Sequence, residues 1–395
     1  MVEAAFVGVT MRLRFFLAAV FVLAGVVQGP ALSAQGTPIA RSAEPFKLGT
    51  FEIRGVPRVG IVLRDALIVE LDAANLALER TQAYPKIPMP SDMIDLISRY
   101  EYGMKLRLYE IVTDLVEGGR LTAGRRPDYV HDLANVRTLP PLMFPGKIMN
   151  AAVNFYSHVN ETGTPDEIAA ARRGRRENRG VPYLFLKPSR GAVIGNGDAV
   201  VLPYGRDRID WEVELATVIG RTAKYVSAAD APVYIFGYMV SLDISDRGGR
   251  PPGGASFQTD WLVGKGHDTF APMGPWIVPK EFYGDPMEKL RQTLSVDGTK
   301  MQEARAGDMI HSLYELLEYA SSIVTLFPGD VINNGTSGGV GMGTAVRGEQ
   351  RFLKAGEVIE AAIDDIGTLR IPVVAEPAPP PGTGARLPAT SGGRR

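Results

Sequence analysis

The amino-acid sequence predicts an α+β protein in which strands predominate and the larger part of the chain forms a rolled or closed β-structure. The segments with strand character are short and are separated by Gly, Pro and Asp. Only two clear helices interrupt them in the larger region, whereas a doubly wound parallel sheet would alternate strands with helices. The 395 residues include 44 glycines and 29 prolines, a composition typical of many turns.

Composition excludes several functional classes. Hydrophobic residues make up 45% of the chain and charged residues 22%, which suits a globular protein with a buried core. The formal net charge of −1 provides no overall field that would attract nucleic acid or an anionic membrane. Because the chain has no cysteine, disulfides, thiolate metal sites and a catalytic thiol are excluded.

Residues 1–34 have the pattern of a secretory signal peptide. Arg12 and Arg14 precede the apolar run 15–27, and small residues follow it. A run of about 13 residues is short for a bilayer span, which favours removal over a retained membrane anchor. We therefore expect an exported protein, periplasmic or secreted, without a stable anchor.

A polar linker over residues 35–45 leads to two predicted folded regions and a tail. Residues 46–142 combine strand and helix patterns, carry no chemical motif and are predicted to form a structural N-terminal α/β domain. Residues 145–374 contain the short strands and every motif described below, and are predicted to form the catalytic domain. The Ala/Pro/Gly-rich tail, residues 375–395, is predicted to be disordered.

Helical periodicity marks four segments. Apolar residues recur at three- and four-residue spacings over 91–102 and 104–117, with a glycine between the two segments. In the larger region, Thr-Pro-Asp-Glu begins a helix predicted over 164–177, and a second helix is predicted over 312–325.

Three carboxylates on neighbouring predicted strands indicate a metal site. Glu212 and Glu214 are two residues apart, so on a strand both project from the same face. Asp243 ends the next apolar strand, although Asp is depleted inside strands. Hard divalent cations favour carboxylate oxygens, and such an ion would relieve the repulsion between like charges. The alternative is a half-exposed strand with two solvated glutamates.

The order of the motifs resembles that of the fumarylacetoacetate hydrolase superfamily across residues 147–374. The matching blocks lie at 147–161, 185–188, 210–220, 237–247, 265–275 and 326–341. The resemblance implies a mixed β-roll, usually dimeric, with Mg²⁺, Mn²⁺ or Ca²⁺ held by Glu212, Glu214 and Asp243.

A histidine and a glutamate precede the first helix of the larger region. A helical turn would place Glu161 close enough to His158 to orient the imidazole; the alternative is an ordinary surface pair. The resemblance implies a dyad that activates water, with helix 164–177 as a lid. Five arginines on this segment either meet the carboxylates of a diacid substrate or form a solvated helix face: Arg172, Arg173, Arg175, Arg176 and Arg179.

Four further residues are candidates for contact with the substrate. By the resemblance, Lys187 and Lys265 line the site, where each would stabilise an enolate or a carboxylate; the alternative is an exposed lysine on a loop. Arg247, four residues beyond the Asp of the metal site, is a candidate substrate clamp. Thr336 and the backbone amides of 335–341 would hold a carboxylate; the alternative is a set of glycine-rich turns without a ligand. A phosphate-binding loop is excluded there, because no Lys-Ser/Thr follows the glycines.

Two segments depart from the family pattern. The family commonly has Asn-Asp-Val-Ser/Thr-x-Arg-Asp at residues 242–248, where this chain has Leu-Asp-Ile-Ser-Asp-Arg-Gly. It commonly has Gly-Thr-Pro at residues 335–337, where this chain has Gly-Thr-Ser. Both changes leave the metal site intact, but they leave the identity of the substrate undetermined.

These residues predict a metal-dependent hydrolase that cleaves a C–C bond in a β-diketo or acylpyruvate-type acid. The cation would stabilise the enolate, and His158, oriented by Glu161, would take a proton from water. The alternative activities are those of a decarboxylase, isomerase or dehydratase of a related 2-oxo acid, of hydroxymuconate or sugar-acid type. A non-catalytic binding protein is the third reading.

Overall fold

The structure, a computed structural model, describes residues 41–249, 260–347 and 350–383. The signal peptide predicted over 1–34 and the first part of the linker, 35–40, lie outside the described residues.

Short strands dominate the described chain, which confirms the predicted α+β fold class. The strands are β1 (Lys47–Ile53), β2 (Val56–Leu63), β3 (Leu67–Glu70), β4 (Val130–Asp132), β5 (Arg137–Leu139), β6 (Ile148–Ala151), β7 (Leu184–Lys187), β8 (Val193–Ile194), β9 (Val200–Leu202), β10 (Ile209–Asp210), β11 (Val213–Ile219), β12 (Ile235–Leu242), β13 (Ser245–Asp246), β14 (Ala271–Pro279), β15 (Arg291–Val296), β16 (Thr299–Arg305), β17 (Val331–Asn333), β18 (Val358–Ile363) and β19 (Gly367–Ala375). The α-helices are α1 (Leu71–Glu79), α2 (Met93–Arg99), α3 (Met104–Glu117), α4 (Pro165–Glu177), α5 (Ala231–Tyr234), α6 (Trp261–Lys265), α7 (Lys280–Tyr283), α8 (Pro286–Lys289) and α9 (Leu313–Ile323). Single 3₁₀ turns lie at Tyr100–Tyr102, Leu133–Asn135, Tyr156–His158, Ala306–Asp308 and Met342–Arg347.

Among the described strands, twelve form one sheet. Its main order is β4-β3-β2-β1-β14-β12-β11-β17-β6-β7, with β5 paired to β1 and β8 paired to β14. A second sheet has the order β16-β15-β18-β19-β9, and β10 pairs with β13. Pairing is mostly antiparallel, with parallel contacts of β6 with β17, β8 with β14 and β9 with β19. The sheets are therefore mixed.

The N-terminal region adds strands to the same sheet as the larger region. Strand β1 pairs with β14, where Leu48 lies opposite Ile277. The hydroxyls of Tyr100 and Tyr109 donate to Glu281 at 2.7 and 3.0 Å. The domain boundary drawn from the sequence stays a prediction, but hydrogen bonds and core packing both cross it.

Strand β11 is buried on both faces. Leu215 and Ile219 pack into a cluster with the second sheet and α9, whereas Ala216 and Val218 pack into a cluster with the N-terminal helices. Because alternate residues of a strand share a face, Glu214 continues the face of Ala216 and Val218. The N-terminal helices thus cover the lower part of the face that carries the carboxylates.

The large sheet is strongly curled. Strands β7 and β12 are four positions apart in the sheet order, which in a flat sheet would separate them by roughly 19 Å. Lys187 on β7 nevertheless places its Nζ 2.5 Å from Oδ1 of Asp243, the residue that follows β12. The face that carries Lys187 is therefore concave, and its side chains converge.

Several predicted elements differ from those observed. The single helix predicted over 91–102 is an α-helix that ends at Arg99, followed by a 3₁₀ turn and by Gly103, whose φ of +115° ends the segment. Helix α1 was missed, because its first residue, Leu71, reads as the end of the preceding strand. The helix predicted over 164–177 begins one residue later, with Thr164 as its N-cap in a capping box.

The start of the C-terminal tail is held by the fold. Strand β19 includes Ala375, and the backbone N–H of Glu376 donates to the carbonyl of Leu202 at 2.9 Å. Residues 384–395 lie outside the described residues. Among the described helices, none combines the length and apolarity required to cross a membrane.

Candidate active site

The three predicted metal ligands meet at the concave face of the sheet. Glu214 lies on β11, Glu212 just before it, and Asp243 just after β12. Val213 pairs with Leu242, which sets Glu212 beside Asp243, and the N–H of Asp243 donates to the carbonyl of Glu212 at 3.0 Å. Each of the three side chains offers an oxygen within 4.8 Å of the others, and all three are at most 4% exposed.

Two buried lysines contact these carboxylates. Lys265 Nζ lies 2.6 Å from Asp243 Oδ2, 2.9 Å from Glu212 Oε2 and 2.6 Å from Ser245 Oγ. Lys187 Nζ donates to Asp243 Oδ1 and, at 2.9 Å, to a backbone carbonyl. Burial lowers the pKa of Lys187. The structure therefore places both lysines within the carboxylate cluster, and their contact with a substrate stays a prediction.

Arg247 is also bonded to carboxylates. Its Nε donates to Asp210 Oδ2 at 3.0 Å, and its guanidinium forms a second ion pair with Glu212. The role of substrate clamp stays a prediction. The observed contacts connect Arg247 to Asp210 and to the metal-site carboxylate Glu212.

The charges around the carboxylates are distributed unequally. Burial alone would raise the pKa of Glu212, but the positive charges of Lys265 and Arg247 outweigh it and lower the pKa to about 2. Burial raises the pKa of Glu214 well above its usual value, and the negative charges of Asp243 and Glu212 raise it further. Burial alone would lower the pKa of Lys265, but Asp243 and Glu212 reverse this effect and raise it. Lys265 therefore stays protonated, and Glu214 is the carboxylate whose charge is least compensated.

The donor set fits a divalent cation. Glu214 forms no salt bridge with any residue that the structure describes, and the donor to its Oε2 is the N–H of Gly335, at 2.8 Å. Three converging carboxylate oxygens with one uncompensated charge form an oxygen-rich site that suits Mg²⁺, Mn²⁺ or Ca²⁺. Glu212, Glu214 and Asp243 would hold the ion.

The predicted histidine–glutamate pair is formed. His158 lies in a 3₁₀ turn, and its Nδ1 is 2.5 Å from Glu161 Oε1. Both side chains are largely buried, at 12% and 10% exposure. When His158 is protonated, its charge also lowers the pKa of Glu212, by less than the charges of Lys265 and Arg247 do. The dyad therefore lies within electrostatic range of the carboxylates.

The glycine-rich segment 335–341 joins the dyad to the carboxylates. Its backbone amides donate to Glu214 from Gly335, to Glu161 from Gly339 at 2.7 Å, and to Asp210 from Gly341 at 2.5 Å. These amides, predicted from the sequence to hold a substrate carboxylate, are engaged with carboxylates of the protein itself. The segment thus fixes both halves of the site relative to each other.

Thr336, the fourth predicted substrate contact, is buried within the same segment. Its Oγ1 accepts from Gln302 Nε2 at 2.8 Å and donates to the carbonyl of Val213 at 3.2 Å. Gln302 Oε1 in turn accepts from the N–H of Val213 at 3.1 Å. The threonine hydroxyl therefore anchors the start of β11, and its contact with a substrate stays a prediction.

Helix α4, the predicted lid, has no buried residue and is held by its arginines. Arg172 donates to the carbonyl of Ser157 at 2.6 Å, and the Arg176 guanidinium lies 3.9 Å from the centre of the Tyr156 ring. Arg179 forms an ion pair with a glutamate of α9. These three arginines thus contact the protein, two of them at the turn that carries the dyad.

An open cavity of about 460 Å³ adjoins the dyad. Glu161, Arg172 and Gln302 are among its lining residues, and the three carboxylates of the metal site are not. It is therefore the approach to the dyad rather than the metal site itself.

Two important residues were missed at the sequence level. Asp210 accepts from the N–H of Gly341, from the N–H of the following residue, Met342, and from Arg247. The argument applied to Asp243, that Asp is depleted inside strands, also identifies Asp210. Gln302 gives no such signal, because a polar residue on an amphipathic hairpin strand is ordinary.

The chain is similar to known proteins in both sequence and structure. Residues 147–374 match the family described as Fumarylacetoacetate (FAA) hydrolase C-terminal. The chain is 38% identical over 225 residues to the 2,4-didehydro-3-deoxy-L-rhamnonate hydrolase of Sphingomonas sp. (strain SKA58), covering 57% of this chain and 72% of that protein. It is 34% identical over 236 residues to a mitochondrial oxaloacetate tautomerase of Bos taurus, covering 60% of this chain and 69% of that protein. The crystal structure of maleylpyruvate hydrolase from Sphingobium sp. SYK-6, in complex with a manganese(II) ion and pyruvate, is similar with a TM-score of 0.59 and 28% identity, covering 83% of this chain and 99% of that one.

Replacing Gly339 with alanine should disable the site. The residue has a φ of +101°, and a Cβ there would lie 2.1 Å from the carbonyl oxygen of Met301. Overpacking should lower the free energy of unfolding by about 1–3 kcal/mol, in addition to the cost of placing alanine in a left-handed backbone conformation. Activity should be lost as well, because the hydrogen bond from residue 339 to Glu161 breaks. Thermal unfolding and turnover are the measurements. Gly356→Ala is the control, since its φ is +95° and no atom lies within 4 Å of its Cβ; equal effects of the two variants would contradict this account.

Replacing Glu214 with glutamine should abolish metal binding without unfolding the protein. The substitution removes a ligand charge, and even outer partners of metal sites contribute about 10–100-fold in affinity. We expect the Kd for Mn²⁺ to rise by at least ~100-fold in calorimetric titration. Without metal, the variant should unfold at the same temperature as the metal-free parent protein or at a higher one, because the substitution removes a buried charge. Exposed Glu360→Gln serves as the control, and unchanged Mn²⁺ affinity in Glu214→Gln would disprove the site.

Proposed function

The chain belongs to the fumarylacetoacetate hydrolase family, and we propose that it is a divalent-metal-dependent hydrolase that cleaves a carbon–carbon bond in a β-diketo or acylpyruvate-type acid. The observation that carries the proposal is the glycine-rich segment 335–341, which is bonded to both Glu214 and Glu161. A base and a metal site held at a fixed separation suit the attack of water on a carbonyl group. Two of the similar proteins are hydrolases.

The cationic residues of the site support substrate binding. A divalent cation held by Glu212, Glu214 and Asp243 supplies a Lewis acid that stabilises negative charge on substrate oxygens. Lys265, kept protonated between two carboxylates, adds a fixed positive charge in a buried environment, where charges interact strongly. We infer that this charge assists the binding of a 2-oxo acid carboxylate.

The dyad provides the general base. Because Nδ1 of His158 is bonded to Glu161, the other ring nitrogen, Nε2, is left as the proton acceptor. Glu161 is itself fixed by the N–H of Gly339 and stabilises the imidazolium that forms. In the proposed reaction His158 takes a proton from water, and the water oxygen bonds to the carbonyl carbon distal to the carboxylate. The carbon–carbon bond then breaks, its electron pair stays on the carbon between the two carbonyls, and that carbon takes up a proton.

A tautomerase or isomerase is the second candidate, favoured by the 34% identity to the bovine oxaloacetate tautomerase. In that reaction His158 would move a proton between carbon and oxygen of a 2-oxo acid, and no water would be consumed. Decarboxylation and dehydration need the same charge stabilisation. Products distinguish these reactions, since hydrolysis gives two acids and tautomerisation leaves the carbon skeleton whole.

Two properties expected from the sequence remain proposals. Export to the periplasm or outside the cell rests on the pattern of residues 1–34, and a homodimer rests on the family resemblance. Neither is needed for the chemistry of the site.

Turnover of a substrate panel tests the function. We expect the purified protein to split acylpyruvates into two acids, to lose this activity in EDTA, and to regain it with Mg²⁺ or Mn²⁺. Oxaloacetate and a hydroxymuconate-type diacid complete the panel, and NMR identifies the products. Metal-restored conversion that leaves the carbon skeleton intact would select the tautomerase, whereas tight Mn²⁺ binding without any turnover would reject both enzymes.

Replacing His158 with alanine tests the general base. Loss of a general base lowers the rate by about 10²–10⁴-fold, so we expect kcat for acylpyruvate hydrolysis to fall within this range while Mn²⁺ affinity changes little. His131→Ala is a matched control, because His131 also lies near a glutamate, Glu70, at 3.8 Å. Hydrolysis by His158→Ala at the parent rate would remove the dyad from the mechanism.

A further inference from the structure

Three buried side chains on one face of the large sheet have polar atoms without a hydrogen-bond partner among the described residues. They are Asn150 of β6, Asn333 of β17 and Ser241 of β12, with 0%, 1% and 0% of their surface exposed. In Asn150 both Oδ1 and Nδ2 lack a partner, so the observation does not depend on how the amide is oriented. Polar groups buried without partners cost free energy, and these atoms have hydrogen-bonding capacity that a polar ligand would satisfy.

Strand register places the three side chains on the face that carries the carboxylates. Asn333 lies opposite Asn150 on one side and opposite Ala216 of β11 on the other. Ala216 is two residues from Glu214, so both share a face, and Ser241 lies directly opposite Glu214. This face is the concave one.

Asn150 is also connected to the other side of the site. It lies opposite Phe185 of β7, whose ring stacks on Trp261 with a centroid separation of 4.6 Å. Lys265 Nζ, which contacts the carboxylates, lies 5.1 Å from the centre of the Phe185 ring. Asn150 therefore lies beside an aromatic wall that reaches the metal site.

We propose that Asn150, Asn333 and Ser241 form a polar floor that binds a hydroxylated, uncharged end of the substrate. The polar floor would make the enzyme select hydroxylated 2,4-dioxo acids over their unhydroxylated counterparts. The inference rests on the proposed function, because that function assigns the carboxylate end of the substrate to the metal site and to Lys265.

The chemistry of the polar floor matches a hydroxyl group. Amide and hydroxyl side chains both donate and accept, as a substrate hydroxyl does. The floor contains no cation, and the nearby ammonium of Lys187 already donates to Asp243 and to a backbone carbonyl. A second substrate carboxylate would therefore find no cationic side chain in the floor with which to pair.

A pair of compounds that differ by one hydroxyl tests the proposal: 5-hydroxy-2,4-dioxopentanoate and 2,4-dioxopentanoate. We expect the parent protein to prefer the hydroxylated compound by about tenfold or more in kcat/KM, because a site built for a hydroxyl discriminates strongly. Asn150→Ala, Asn333→Ala and the milder Ser241→Ala should each reduce this preference towards unity. The rate with 2,4-dioxopentanoate should change less than about threefold, within the range of indirect packing effects.

Thr217→Val is the matched control. The Thr217 hydroxyl is also buried without a partner in the described chain, but Thr217 is adjacent to Ala216 and so points to the opposite face of β11. Its replacement should leave the preference unchanged. Thermal unfolding of each variant verifies the fold, and any one folded floor variant is sufficient for the test.

The outcomes separate this inference from the proposed function. Cleavage of both compounds with equal kcat/KM, or a preference that survives all three floor variants, overturns the polar floor and leaves the hydrolase standing. If neither compound is cleaved, the proposed hydrolase function is rejected. Calorimetric binding of the two compounds with Mn²⁺ present then tests the polar floor. Tenfold tighter binding of the hydroxylated compound, lost in Asn150→Ala, supports the floor; equal Kd values overturn it.

Discussion

Three buried carboxylates converge at one point, and the fold has to accommodate their mutual repulsion. Glu212, Glu214 and Asp243 would repel one another in any compact fold, and burial increases the penalty. Lys187, Lys265 and Arg247 compensate part of this charge, and Glu214 has no salt bridge among the described residues. The cluster is therefore suited to bind a divalent cation, which would neutralise the remaining charge.

The surrounding fold holds that cluster in place. Curling of the large sheet brings Lys187 from a distant strand to Asp243, so the geometry of the site depends on the whole sheet. The N-terminal helices pack on the lower part of the same face, through contacts with Ala216 and Val218. A region without chemical motifs therefore serves the site by closing the face that the carboxylates occupy.

Coupling between metal site and general base comes from backbone rather than side chains. Backbone amides of the glycine-rich segment donate to Glu214, Glu161 and Asp210. Such close contacts between backbone and carboxylate are possible because glycine has no Cβ to intervene. Helix α4, in contrast, has no fully buried residue and is held by arginine contacts. The site combines a rigid scaffold with a weakly packed cover, the arrangement expected when substrate must enter a buried centre.

The sequence by itself determined the fold class, the family, the three carboxylates and the histidine–glutamate pair. It could do so because strand alternation places Glu212 and Glu214 on one face, and because Asp243 is out of place at the end of an apolar strand. It could not show that Lys187 and Arg247 bind these carboxylates, or that Asn150 and Asn333 lie side by side without partners. Those facts depend on which distant strands pair and on how far the sheet curls. No local sequence pattern encodes either, because side chains far apart in the chain meet through packing.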